Sequence, residues 1–362
     1  MFLPRPRRFL RRLANRARPA ALVLLYHRVT RLDTDPQWLA VPPETFDAQL
    51  DLLKRRYRLL PLPDLLTAVN DNTLPRRSVA ITFDDGYADN LFEAKPLLEK
   101  HDAPATVFVA SGFVGGGEEF FWDELDRLLL QPGRLPRELN LAPPRDGAAL
   151  ASPMMCDLGA DEPWRWSLGD DDADYAAARA RGHRGWNVLS PDTPTARHAA
   201  YRALCPALAQ SDPTMRRRWL HQIRTRLGAT AQARASHRMV TADGLRQLVA
   251  GGLIDVGAHT VGHARLSVLP LEVQREEIAQ SKRALEGILD RPVTTFSYPF
   301  GNHADYTADT VRLVQEAGFA AACSNFGGAV RRGADPFQLN RVLVRDWDAE
   351  QLDQRLREWF LD

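Results

Sequence analysis

Cysteine is scarce in this chain: Cys156, Cys205 and Cys323 are the only three among 362 residues. Three scattered thiols cannot build a disulfide framework, and their spacing matches no thiolate zinc site. Net charge is lacking as well, at +1, and a near-neutral balance excludes a dedicated nucleic-acid binder, whose surface is strongly basic. Long apolar runs are also absent. The run Ala20 to Tyr26 is broken by His27 and Arg28, with no small-residue cleavage site after it. The reading is therefore of neither a secretory signal nor a membrane span. Acidic residues are missing from positions 1–18, which carry Arg5, Arg7, Arg8, Arg11, Arg12, Arg16 and Arg18. Such an arm suits a solvated terminus and leaves peripheral contact with anionic lipid open. The location this predicts is the cytoplasm, with the inner face of the membrane in reach.

What is present is an alternation. Apolar runs of strand length at 21–26, 79–83, 105–110, 253–257, 294–298, 319–323 and 341–344 are separated by helical patterns. The helices are expected near 44–57, after Gly86, at 242–250 behind Thr241 as N-cap, at 272–289, at 309–317 and at the C-terminus. Repeating β-α units predict a parallel sheet with right-handed crossovers, and about seven strands suffice for a distorted or incomplete (β/α) barrel. Residues 115–238 change character. Pro-rich turns, the acidic run Gly169 to Asp172 and Trp122, Trp164, Trp166 and Trp186 mark a long irregular and helical insertion between 19–114 and 239–362. Its aromatics suit either a sugar-stacking platform or a core.

Chemistry concentrates where strands end. Val79 to Phe83 runs into Asp84 and Asp85, two adjacent carboxylates that are costly to hold together unless a cation or proton is shared. A purely structural role, N-cap or Asp-Gly turn, is the competing reading. His259 and His263 follow the strand at 253–257, and a helical turn there would face both imidazoles one way. Two imidazoles and one carboxylate leave a coordination position open, as catalytic rather than structural metals do. The same set describes non-haem iron oxygenases, against which the adjoining second Asp argues. A catalytically silent glycan-binding module is a further alternative.

Thr82-Phe83-Asp84-Asp85-Gly86, His259-Thr260-Val261-Gly262-His263 and Tyr298-Pro299-Phe300-Gly301 together resemble the motifs of the polysaccharide deacetylases, the NodB-homology carbohydrate esterases. The resemblance implies a distorted (β/α) barrel that binds a divalent metal, usually zinc, and removes acetyl groups from N-acetylated glycans. It implies Asp85, His259 and His263 as metal ligands, Asp84 as general base and the backbone N–H of Phe300 as oxyanion donor. Family members carry an acidic His in a Leu-x-His motif after a late strand. Here the motif is Leu25-Tyr26-His27 at the first strand, similar to a circularly permuted branch, which makes His27 the expected general acid. Where many members have an Arg that pairs with the base, this chain has Ser297, and Arg341 is the candidate replacement. The glycan itself, whether cell-surface polysaccharide, oligosaccharide or lipid-linked precursor, is not written in these motifs.

Overall fold

A computed structural model describes residues 19–131, 135–142, 153–159 and 183–361. The Arg-rich arm, Trp164, Trp166 and the run Gly169 to Asp172 lie outside them. The strands in chain order are β1 (Ala21–Tyr26), β2 (Arg28–Val29), β3 (Ala40–Val41), β4 (Arg58–Leu59), β5 (Ser78–Phe83), β6 (Ala105–Val109), β7 (Glu138–Leu141), β8 (Met154–Asp157), β9 (Ile254–Ala258), β10 (Thr295–Ser297), β11 (Ala321–Cys323) and β12 (Val342–Leu343). The described residues form two compact units, one within Met1–Arg31, Leu39–Gly116 and Met239–Asp362, the other within Leu32–Trp38 and Gly117–Arg238.

The first unit is built on one parallel row in the order β11-β10-β9-β6-β5-β1-β12, with β4 beside β5. Every residue of β1, β5 and β6 is buried, as continuous apolar strands covered on both faces must be. Alternate residues face opposite ways. Leu22, Leu24, Tyr26, Ile81 and Phe83 pack outward with Phe46, Leu50, Leu53, Ile278, Leu285 and Leu313 of the surrounding helices. Ala21, Val23, Ala80, Phe108, Cys323 and Leu339 form a separate, smaller cluster. That cluster fills the inside of the row. Gly257 makes room there: a Cβ at this position would stand 2.4 Å from the Phe108 ring.

The row's two edges are brought together by one segment. Leu339 exchanges hydrogen bonds with β11, through Ser324 N–H to Leu339 O and Leu339 N–H to Ala322 O, both 2.9 Å. Three residues later Val342 and Leu343 pair with Leu24 and Leu25 of β1. The result is a distorted (β/α) barrel. Its helices start where the sequence signals them: Thr241 Oγ accepts from Gly244 N–H, and Thr307 and Thr310 form a capping box. The short pair β2–β3, the strand β4 and the helix Leu62–Asn70 carry too few residues or too weak a period to be read in advance.

The second unit holds the antiparallel pair β7–β8 and the helices Ala196–Ala209 and Pro213–Leu227. Trp122, Trp186 and Trp219 are buried in it, so these rings fill a core and present no stacking platform. Arg234 crosses the unit's interior to Glu119 (2.9 Å) and Asp126 (2.6 Å).

Candidate active site

Strand ends place the site. Asp84 and Asp85 follow β5, His27 follows β1, His259 follows β9 and Phe300 lies three residues beyond β10, so a parallel row delivers them to one rim. Neither Asp caps a helix, because helical chain resumes only at Asn90. The His pair does not sit on a helical turn. Thr260 (φ 62°) and His263 (φ 49°) take left-handed backbone, and the loop between them is pinned from outside. Ser111 N–H and Gly112 N–H donate to the carbonyls of Thr260 and Val261 at 3.0 and 2.9 Å. Glu277, from the helix Leu271–Leu289, accepts from Val261 N–H (3.0 Å) and Gly262 N–H (2.8 Å). These bonds, rather than helix geometry, turn both imidazoles the same way.

Asp85, His259 and His263 offer ligand atoms all within 4.8 Å of one another, and all three residues are buried. His263 Nε2 stands 3.3 Å and His259 Nε2 3.7 Å from Asp85 Oδ1. His259 Nδ1 lies 2.7 Å from the carbonyl of Ser297, which can only accept, so the proton sits on Nδ1 and Nε2 points its lone pair at the carboxylates. Burial pushes the His259 imidazole down to about 4, against the pull of Asp84, which keeps it neutral and able to ligate. Both carboxylate oxygens of Asp85 are buried with no hydrogen-bond partner among the described residues. A buried acceptor left unpaired costs about 1–3 kcal/mol, more when charged, and burial accordingly raises this carboxyl. A divalent cation removes that cost, and a mixed nitrogen and oxygen donor set suits zinc. The residues present fit the metal.

Asp84 has the opposite environment. Arg341 Nη1 donates to its Oδ1 and Nη2 to its Oδ2, both at 2.7 Å, and Ser297 Oγ lies 3.3 Å from Oδ2. Burial works against ionisation here, but Arg341 and then His259 outweigh it and hold the carboxyl well below the usual range. Ser297 also accepts from Arg341 Nη2 at 2.7 Å. Ser297 lies beside the ion pair and bonds to both partners, and the cation enters from Arg341, just ahead of β12. His27 is half-buried, and its Nδ1 is buried without a hydrogen-bond partner among the described residues. Burial lowers it to about 4, while Asp85 and Asp84 pull it upward. Phe300, at φ 63°, is the centre of a three-residue turn in which Gly301 N–H reaches Pro299 O at 2.7 Å. A bulky residue at positive φ in a positive-handed γ-turn is strained, and such strain clusters at functional sites.

The chain matches the family model described as polysaccharide deacetylase over residues 71–132 and 221–322. Those two stretches carry a polysaccharide deacetylase domain. Among curated proteins it is 34% identical over 101 residues to YxkH of Bacillus subtilis, which bears the family's name, covering 27% of this chain and 35% of that protein. It is 32% identical over 110 residues to the poly-β-1,6-N-acetyl-D-glucosamine N-deacetylase of Staphylococcus aureus, covering 26% and 38%. The chain thus spans little more than a third of the length of the curated relatives it matches. In fold it is similar to IcaB of Ammonifex degensii, with TM-score 0.55 and 18% identity over 95% of this chain and 98% of the other. Streptococcus pyogenes PplD gives the same score and identity over 94% and 99%.

His27 and Arg341 lie outside both stretches of the family match. Sequence reasoning passed over Glu277, Ser111, Gly112 and Asn325. Asn325 stands two residues past the end of β11, and that rim position was a usable signal; Glu277, mid-helix, gave none.

Proposed function

We propose that the protein is a metal-dependent N-deacetylase that hydrolyses acetamido groups of an N-acetylated glycan and releases acetate. The observation that carries the reading is Asp85, a buried carboxylate with no hydrogen-bond partner among the described residues, facing two imidazole Nε2 atoms and adjoining an Asp84 held ionised by Arg341. Its relatives' names support the substrate class. Asp85, His259 and His263 would hold the cation, which when bound supplies Lewis acidity to a water and to a carbonyl oxygen.

The chain's own groups do the rest. Asp84 takes the proton of the attacking water, and its low pKa keeps it unprotonated for that task. The backbone N–H of Phe300 donates to the carbonyl oxygen as that atom gains charge. His27, in its imidazolium form, which burial opposes and the charges of Asp85 and Asp84 favour, gives a proton to the departing amine nitrogen, an assignment that places the acid at the first strand as a circular permutation of the barrel would.

Acetate release across a panel of N-acetylhexosamine oligomers and lipid-linked glycans tests the proposal. Release that stops on chelation and returns with Zn²⁺ is expected; the absence of release from every member overturns it. Iron content with oxygen-dependent turnover would point instead to an oxygenase. We further propose a cytoplasmic location, with the inner face of the membrane in reach through the Arg-rich arm. No described helix is long and apolar enough to cross a membrane.

A further inference from the structure

One side chain joins the two halves of the site. Asn325 Nδ2 donates to the carbonyl of Phe300 at 2.7 Å, and its Oδ1 accepts from Arg341 Nη2 at 3.3 Å. Its backbone N–H donates to Gly301 O at 2.8 Å, so both carbonyls on the far side of the strained turn end on this one residue. The amide is fixed in orientation by its neighbours: a guanidinium can only donate and a carbonyl can only accept, so Oδ1 must face Arg341 and Nδ2 must face Phe300. The approach is tight, since a Cβ on Gly301 would lie 2.8 Å from Asn325 N. Gly301 at φ 68° supplies both the missing side chain and the backbone freedom.

We propose that Asn325 is a positioning residue that holds the Phe300 turn in register with the Asp84–Arg341 pair, so that the group taking the proton and the N–H meeting the oxyanion keep one fixed separation. The inference rests on the deacetylase reading and adds a residue to it. A γ-turn with a bulky residue at positive φ has no stability of its own and persists only where surrounding bonds over-determine it. Asn325 supplies two of those bonds. Arg341 in turn is tied to the same loop by its Nε, which donates to Ser324 O at 3.0 Å, so guanidinium and turn are referred to one strand end.

Asn325→Asp is the sharpest probe. It keeps size and the acceptor for Arg341 but sets a carboxylate oxygen against the Phe300 carbonyl, while Asn325→Ala removes both side-chain bonds, to Phe300 and to Arg341, and leaves the backbone bond to Gly301. Two readouts on the full chain separate the outcomes. Amide hydrogen exchange at Gly301 is expected to accelerate at least about tenfold in both variants, with protection in β5 and β10 unchanged. In acetate release from an N-acetylglucosamine oligomer, kcat is expected to fall about 100-fold with KM nearly constant, the pattern of a misplaced oxyanion donor. Unchanged exchange at Gly301 overturns the structural claim whether or not the protein is active. Faster exchange with wild-type kcat overturns the catalytic one. Failure of the wild type to release acetate overturns the deacetylase reading and the catalytic role together, and leaves the exchange rates to decide the turn.

Discussion

Arg341 and Asp84 are 257 positions apart and meet through two parallel hydrogen bonds of 2.7 Å, with the Arg341 side chain fully buried and that of Asp84 nearly so. Such a pair is of little net worth beside apolar packing, but breaking it leaves a naked buried charge. Arg341→Met is expected to cost about 3–5 kcal/mol in urea unfolding, and adding Asp84→Asn should restore much of the loss by removing that charge. Arg341 depresses Asp84, so its loss raises the Asp84 pKa. The acid limb of kcat/KM must then move to higher pH in any active Arg341 variant, Arg341→Lys included. A limb that stays in place rules out Asp84 as the base.

Glu277 reaches the His loop from a neighbouring helix and touches no ligand atom. Glu277→Ala should leave the barrel folded, since the residue is only half-buried, yet free the two N–H groups that fix Val261 and Gly262. Supporting contacts of this kind typically carry about 10–100-fold in metal affinity. Competition with a chromophoric chelator measures it, and wild-type affinity would show that Ser111 and Gly112 suffice.

His27→Ala tests the permuted acid. A lost general acid costs about 100-fold or more in turnover, while metal content, measured by elemental analysis, should match the wild type because His27 is not among the three clustered ligands. Turnover near the wild-type level would send the search for the proton donor elsewhere.

In the second unit, His198 Nδ1 pairs with Thr195 Oγ at 2.8 Å, and burial, with His183 adding to it, lowers this imidazole from 6.5 to about 4. Between those values the unfolded chain binds a proton that the folded chain refuses, so stability is whole above 6.5 and drains away as pH falls toward 4. The full window is worth about 3 kcal/mol. Urea unfolding of His198→Gln should show a correspondingly flatter pH dependence than wild type from 6.5 to 4; parallel curves would contradict the assignment.

The barrel was legible because its signals are local. Six consecutive buried apolar residues in β1, the mostly apolar run of β5, Thr241 as a cap and Gly318 after its helix each declare themselves without reference to distant chain. Asp84, Asp85, His259 and His263 were legible for a geometric reason: residues just past the ends of parallel strands share a rim. What defeated sequence reasoning was backbone shape and crossing partners. The left-handed Thr260 and His263 replace the helical turn that a four-residue spacing suggested. Glu277 and Asn325 act through backbone groups of other loops, and such bonds leave no pattern in their own segment. Trp122 and Trp186 were ambiguous because a ring suits a core and a sugar platform alike, and only burial separates them.

The segment from Leu339 to Leu343 has a consequence for synthesis. It joins the β11 edge to β1 and carries Arg341, the highest-numbered of the site residues. A nascent chain still lacking it can lay down β1, β5 and β6 but has no counterion for Asp84, so the interior of the row stays closed to that carboxylate in its ionised form. The sheet and the site are therefore finished by the same late-emerging stretch, and ribosome-bound chains stopped before residue 341 should hold the earlier strands in a loose, protease-sensitive state.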